Sequence, residues 1–228
     1  MRVWRFGLYY VVVFGAYVAL SGWLPKFYMD AYGVSLSTAA LLTATFIIPA
    51  SLLRPFGGYL SDQWGPRTVT YAVFIVTTLV LLILSMPSFR LIVAVRVGAT
   101  LGLIPFSILM FVLGCAMGIG KASVYKYIPD YFPNDVGAVG GVVAMLGALG
   151  GFLLPPAFGL LGRWSGIPQV AFIALLILTV WSLAWLHLAV ARLHSGRFWG
   201  LPQPARMARL SLAPLELRRA QDDPKPMS

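Results

Sequence analysis

The chain has 228 residues, 59% of them hydrophobic and 11% charged, with a mean hydropathy of +0.84. Soluble domains lie nearer half apolar and a quarter charged, so this composition excludes an ordinary soluble fold and implies an integral membrane protein. The formal charge of +10 includes a basic tail and points to anchoring on one membrane face rather than to nucleic acid.

The N-terminus, MRVWRF, leads into an apolar run without a small-residue cleavage site. It reads as a retained helix rather than a signal peptide. About 20 apolar residues are needed per crossing. Six segments meet that length: 6–26, 37–60, 68–88, 100–122, 137–162 and 168–191. The expected fold class is all-α, an integral membrane six-helix bundle. Residues 1–5 form a short cytoplasmic N-terminus, 6–191 the helical domain, and 192–228 a basic, proline-bearing cytoplasmic tail without stable structure.

In the first segment, YVVVFGAY (10–17) sets Tyr10 and Phe14 four residues apart on one helical face. Taken alone, aromatic residues in such a helix are packing residues. In the second segment Arg54 is the one formal charge well inside any span, and no span contains Asp or Glu. An intramembrane charge costs at least a few kcal/mol and usually marks a substrate path. Its counter-charge is then a translocated anion, which a guanidinium fork suits well. The competing reading is snorkelling, since Arg54 lies roughly 9 Å of helix from the segment's end near Leu60.

The loop GGYLSDQWGPR (57–67) follows. Gly57 and Gly58 permit close helix approach, and Asp62 has Arg67 or a neighbouring helix end as partner. The stretch GIGKASVYKYIPDYFP (118–133) closes the fourth span. Lys121 and Lys126 read there as snorkelling cations at a cytoplasmic helix end. A lone cysteine, Cys115, excludes an internal disulfide and a cysteine metal cluster. The fifth span carries GAVGGVVAMLGALGGFLLPP (137–156). Gly137, Gly140, Gly141, Ala144, Gly147, Ala148 and Gly151 share one broad face of it. That face admits another backbone, or a small ligand, at short range. Pro155 and Pro156 permit a kink beyond the glycines. His187 and His194, near the end of the last span, read as interfacial residues.

Positive residues set the orientation. With six spans, Arg2, Arg5, Arg67, Lys121, Lys126 and the tail cations fall on one side, against Lys26, Arg90, Arg96 and Arg163 on the other. Both termini are therefore expected in the cytoplasm, with the chain in the cell inner membrane. The spans offer no paired carboxylates, no nucleophile–base constellation, no metal-ligand spacing and no phosphate loop. An enzyme is not expected, nor a cofactor.

Taken in order, these motifs resemble the second half of the nitrate/nitrite porter family of the major facilitator superfamily. The resemblance covers about residues 4–190, and the glycine stretch 141–152 is its most specific part. It implies a half-transporter for nitrate or nitrite. Arg54, Tyr10, Phe14, Gly141, Ala144 and Gly147 are then the substrate-binding residues. Gly57, Gly58, Asp62, Arg67, Gly137, Gly140, Gly150, Gly151 and Lys121 are packing or gating residues. The form GKASVYKYIP resembles a subgroup associated with nitrate–proton symport, against nitrate/nitrite exchange as the competitor. Members of the family have twelve spans, whereas this chain has six. It is thus expected to be a split-gene product that assembles with a first-half polypeptide, or a truncated frame. A half for another small anion and a non-transporting membrane scaffold or remnant fragment are the alternative functions.

Overall fold

The computed structural model describes residues 2–86, 102–167 and 169–194. Among them every regular element is helical. The first crossing is built in three parts: α1 (Arg2–Tyr10), a π-helical turn (Val11–Gly15) and α2 (Ala16–Tyr32). They contain the 30-residue apolar stretch Val3–Tyr32, about 45 Å long and so longer than the hydrocarbon layer. It stops at Gly33, whose φ of 65° is left-handed and whose N–H donates to the Met29 carbonyl at 3.0 Å. Ser35 then caps α3 by accepting from the Thr38 N–H.

The second crossing is broken. Helix α3 (Leu36–Leu52) and α4 (Arg54–Trp64) meet at Leu53 with a bend of 42°. Pro55 accounts for it: lacking an N–H, it cannot bond the Ser51 carbonyl, and its ring crowds that oxygen. The Leu53 and Gly57 N–H groups still bond their own i−4 carbonyls, at 3.0 and 2.9 Å. The single continuous helix expected over 37–60 is therefore corrected to two helices, and Arg54 becomes the first residue of the second.

Helices α5 (Pro66–Ser85), α6 (Leu103–Tyr131), α7 (Val136–Ser165) and α8 (Val170–His194) complete the set. Five stretches are long and apolar enough to cross singly, and the bent α3–α4 pair makes a sixth. The tail expected over 192–228 is corrected at its start, since α8 runs to His194; its remainder, and the basic residues Arg90 and Arg96, lie outside the described residues. Helix α7 continues through Pro155 and Pro156.

One compact body runs to Leu188. Aromatic clusters close both of its ends. At one, Phe27 stacks on Phe106 at 5.2 Å, while Phe172 meets Trp23, Phe27 and Phe106 edge-on. At the other, Phe6 stacks on Tyr127 at 5.2 Å and Tyr9 meets Phe74 at 5.6 Å.

Between the clusters, helices approach through missing side chains. A Cβ on Gly118 would lie 2.9 Å from the Pro49 carbonyl, and one on Gly114 would collide with that of Phe46. Helix α6 thus lies against α3 through a small-xxx-small pair, the packing that bilayers favour. Gly57 meets the Ile119 backbone in the same way, but Gly58 has nothing within 4 Å of a built Cβ. The loop expected over 57–67 is therefore corrected to the end of α4, Gly65 and the start of α5, and of its two leading glycines Gly57 is the one in close approach. Outward residues such as Phe152 (75% exposed) and Trp164 (82%) are apolar, as on a surface solvated by lipid rather than water.

Candidate functional site

Three crossings each contribute a short stripe to one locus. The first crossing brings Tyr10, Phe14 and Tyr17, spaced i, i+4 and i+7. Across the α3–α4 break stand Ser51 and Arg54, and α6 carries Lys121 and Tyr125 one turn apart.

The π turn explains how Tyr10 and Phe14 align. Its wider winding leaves the Ala16 N–H bonded to the Val11 carbonyl five residues back, and residues four apart then come nearly into register. The two rings stack at 5.0 Å with 15° between their planes. Helix α7 admits this pair because it carries glycine opposite. A Cβ on Gly147 would overlap the Tyr10 ring and lie 3.2 Å from that of Phe14. One on Gly15 would come within 2.8 Å of the Gly147 carbonyl.

Tyr125 links the stripes. Its ring meets Tyr10 edge-to-face at 4.9 Å, and its hydroxyl donates to the Gly140 carbonyl at 3.2 Å. The Arg54 guanidinium carbon lies 5.8 Å from the Tyr125 ring centroid. It is close enough to act electrostatically on Tyr10, Lys121 and Tyr125. Arg54 thus points towards the first crossing and α6, although the residue is exposed. Among the described residues it has no carboxylate partner, since the ion pairs are Lys26–Asp30 and Lys126–Asp62.

Lys121 corrects its sequence reading. It is 4% exposed, with Nζ 3.3 Å from the centroid of Tyr17. The Tyr17 hydroxyl in turn shares a 3.1 Å hydrogen bond with Ser51. The snorkelling expectation follows from a fourth span that ends, by apolarity, near residue 122. In fact α6 continues to Tyr131, about 15 Å farther along its axis. Lys126 does lie near that end and pairs with Asp62. Arg67, the other partner considered for Asp62, donates instead to the Tyr131 hydroxyl at 2.6 Å.

Of the residues expected to bind substrate, Arg54, Tyr10, Phe14 and Gly147 come together. Ala144 is half-buried, and Gly141 is exposed with nothing within 4 Å of a built Cβ. The α7 glycines divide by depth. Gly150 and Gly151 pack on Val11 and Val18, Gly140 sits beside Tyr125, and Gly137 stands open. Tyr17, Ser51 and Tyr125 join this locus without having been singled out by the sequence. Their spacing to Tyr10, Arg54 and Lys121 was the available signal. A single helical face does not reveal which faces meet.

The model of the Major Facilitator Superfamily matches residues 6–219. This chain belongs to the major facilitator superfamily. It is 56% identical over 199 residues to a Thermus thermophilus protein named probable nitrate/nitrite antiporter NarK1, covering 85% of this chain and 45% of that one. A Bacillus subtilis protein named nitrite extrusion protein is 35% identical, with 76% of this chain and 40% of the relative covered. One named probable nitrate transporter NarT, from Staphylococcus epidermidis, is 31% identical, at 78% and 43%. The chain therefore spans about half the length of the curated relatives it matches. Among solved structures, the superfamily's proton:xylose symporter XylE superposes with a TM-score of 0.67 at 17% identity. The match covers 81% of this chain and 43% of that one. That likeness shows the fold, and it is again the fold of a superfamily half. The chain is accordingly a multi-pass membrane protein built as one six-helix half of the superfamily fold.

Proposed function

We propose that this chain forms the second half of a nitrate/nitrite transporter, working with a first-half polypeptide in the cell inner membrane with both its termini cytoplasmic. The observation that carries the reading is Arg54: a guanidinium over the Tyr125 ring, beside the Tyr10–Phe14 stack that Tyr125 meets, with no carboxylate among the described residues to neutralise it. A small oxyanion supplies the absent charge. Its oxygens accept from the guanidinium fork in its own plane, and the positive edges of the surrounding rings suit the anion's rim. Gly147 leaves room for the ring pair to approach. The printed names of the relatives support nitrate and nitrite as the anions.

In this reading the anion sits at the interface of two halves that rock around it, so each half brings one wall of the site. The relative named an antiporter supports exchange of nitrate for nitrite. Counter-flow in vesicles tests this: nitrate uptake should need internal nitrite. Uptake driven by a proton gradient into nitrite-free vesicles would replace exchange with symport.

The substrate claim is tested by nitrate binding to the chain assembled with its first half. Wild-type protein should bind, and Arg54→Ala should bind at least about tenfold more weakly, since a charged hydrogen bond contributes about 1.5–3 kcal/mol. Equal binding by both would remove Arg54 from the site. Binding of organic acids in place of nitrate would instead favour a half for another anion, and unchanged flux in the variant would favour a scaffold.

A further inference from the structure

We infer that Lys121 is a second anion-contacting cation of this half-site, held beside Arg54 so that one bound oxyanion meets both charges. The inference rests on the anion-transport reading above. An ammonium carries three donors, yet Lys121, at 4% exposed, has none of them engaged in a hydrogen bond or ion pair among the described residues. What it has is the face of Tyr17, 3.3 Å from Nζ. A ring face offsets only part of the cost of taking an ammonium out of water.

Nearby acids do not supply the remainder. Asp30 is paired to Lys26 and Asp62 to Lys126. Asp130 lies nine residues along α6, about 13 Å away on the helix axis. Asp135 lies farther still, at the start of α7.

The surroundings fix where the ammonium stands. Tyr17 is tied through its hydroxyl to Ser51 at 3.1 Å, and Ser51 lies three residues before Arg54. The contact that orients Lys121 is therefore built on the same helix break that orients the guanidinium. Lys121 and Tyr125 share one face of α6, and Tyr125 lies under Arg54. Two like charges are thus gathered on one wall, an arrangement that disfavours the empty site and favours an anion between them.

A purely structural lysine would act as an apolar stem on Tyr17, and methionine reproduces that stem without the charge. The experiment measures nitrate affinity by calorimetry on the assembled halves, with thermal unfolding in the absence of nitrate alongside. Lys121→Met should unfold within a few degrees of wild type and bind nitrate at least about tenfold more weakly. Lys121→Arg should stay within about threefold of wild-type affinity. If Lys121→Met does not fold, Lys121→Gln carries the same expectation.

Wild-type affinity in Lys121→Met, with binding lost in Arg54→Ala, would overturn the role of Lys121 and leave the transport reading standing. Lys121→Arg as weak as Lys121→Met would likewise overturn a role for the charge. No nitrate binding by wild type would overturn both readings together.

Discussion

In the proposed site Arg54 brings positive charge, and Gly147 brings space. The two act through different physics and fail in different ways. Loss of the guanidinium removes a counter-charge and leaves the packing untouched. A methyl added at Gly147 leaves every charge in place but drives into the Tyr10 ring, and an overfilled interior position costs typically 1–3 kcal/mol. Gly147→Ala should therefore lower the thermal unfolding temperature of the purified chain and, by displacing the Tyr10–Phe14 stack, weaken nitrate binding. Gly141→Ala is the control on the same helix. Nothing lies within 4 Å of its added Cβ, and alanine is the better helix former by up to about 1 kcal/mol. Its unfolding temperature should equal or exceed that of wild type. If both alanines behave alike, depth along α7 is not what distinguishes these glycines.

At the scale of the element, the broken second crossing decides where Arg54 points. The bond missing between Pro55 and the Ser51 carbonyl interrupts the ladder, and α4 starts again at Arg54 after Leu53, so the arginine leaves a helix start rather than the side of a continuous rod. Pro55→Ala would restore an N–H for the Ser51 carbonyl and remove the ring that crowds it. We expect a straighter crossing and an unfolding temperature no lower than that of wild type. The Arg54 guanidinium would swing away from Tyr125, and nitrate affinity would fall several-fold. Unchanged affinity in a demonstrably straightened helix would separate the bend from the site.

This element also marks where sequence reasoning succeeds and where it stops. Six crossings were legible because apolar length is a property of composition, and averaging along the chain preserves it. The same averaging hides a break at one residue. Pro55 was its only local signal, and proline inside a membrane helix need not break it, as α7 demonstrates at Pro155 and Pro156. The π turn at Val11–Gly15 had no sequence signal of any kind. Arg54, Tyr10 and Phe14 were legible as candidates for the locus where they gather, one from its charge and two through family resemblance. The burial of Lys121 was not legible, because apolarity fades near residue 122 while the helix itself runs on through Lys126 to Tyr131.

At the scale of the whole molecule, the helices differ in how much they bury against one another. In the most apolar stretch of α6, 44% is buried, against 17% in α7. Lipid contact alone would account for an exposed helix of large apolar residues, and α8 fits that description with Ile177 and Trp181 both 64% exposed. Helix α7 is different in composition. One side of it packs glycine against the first crossing, while Gly137, Gly141 and Ala148 stand exposed beside Met145, 55% exposed. Small residues let another helix come close and give lipid little to grip. If that open side is the seam to a first-half polypeptide, cysteines placed there should cross-link to it. In a Cys115→Ser background, Gly141→Cys and Met145→Cys should each form a disulfide or a short bifunctional link with cysteines on the co-expressed half. Ile177→Cys and Trp181→Cys on α8 should form none. The ratio of cross-linked to free chain on a denaturing gel reads this directly. Efficient linkage from α8 in place of α7 would put the seam on the wrong face, and Arg54 could not then share an anion with a second half.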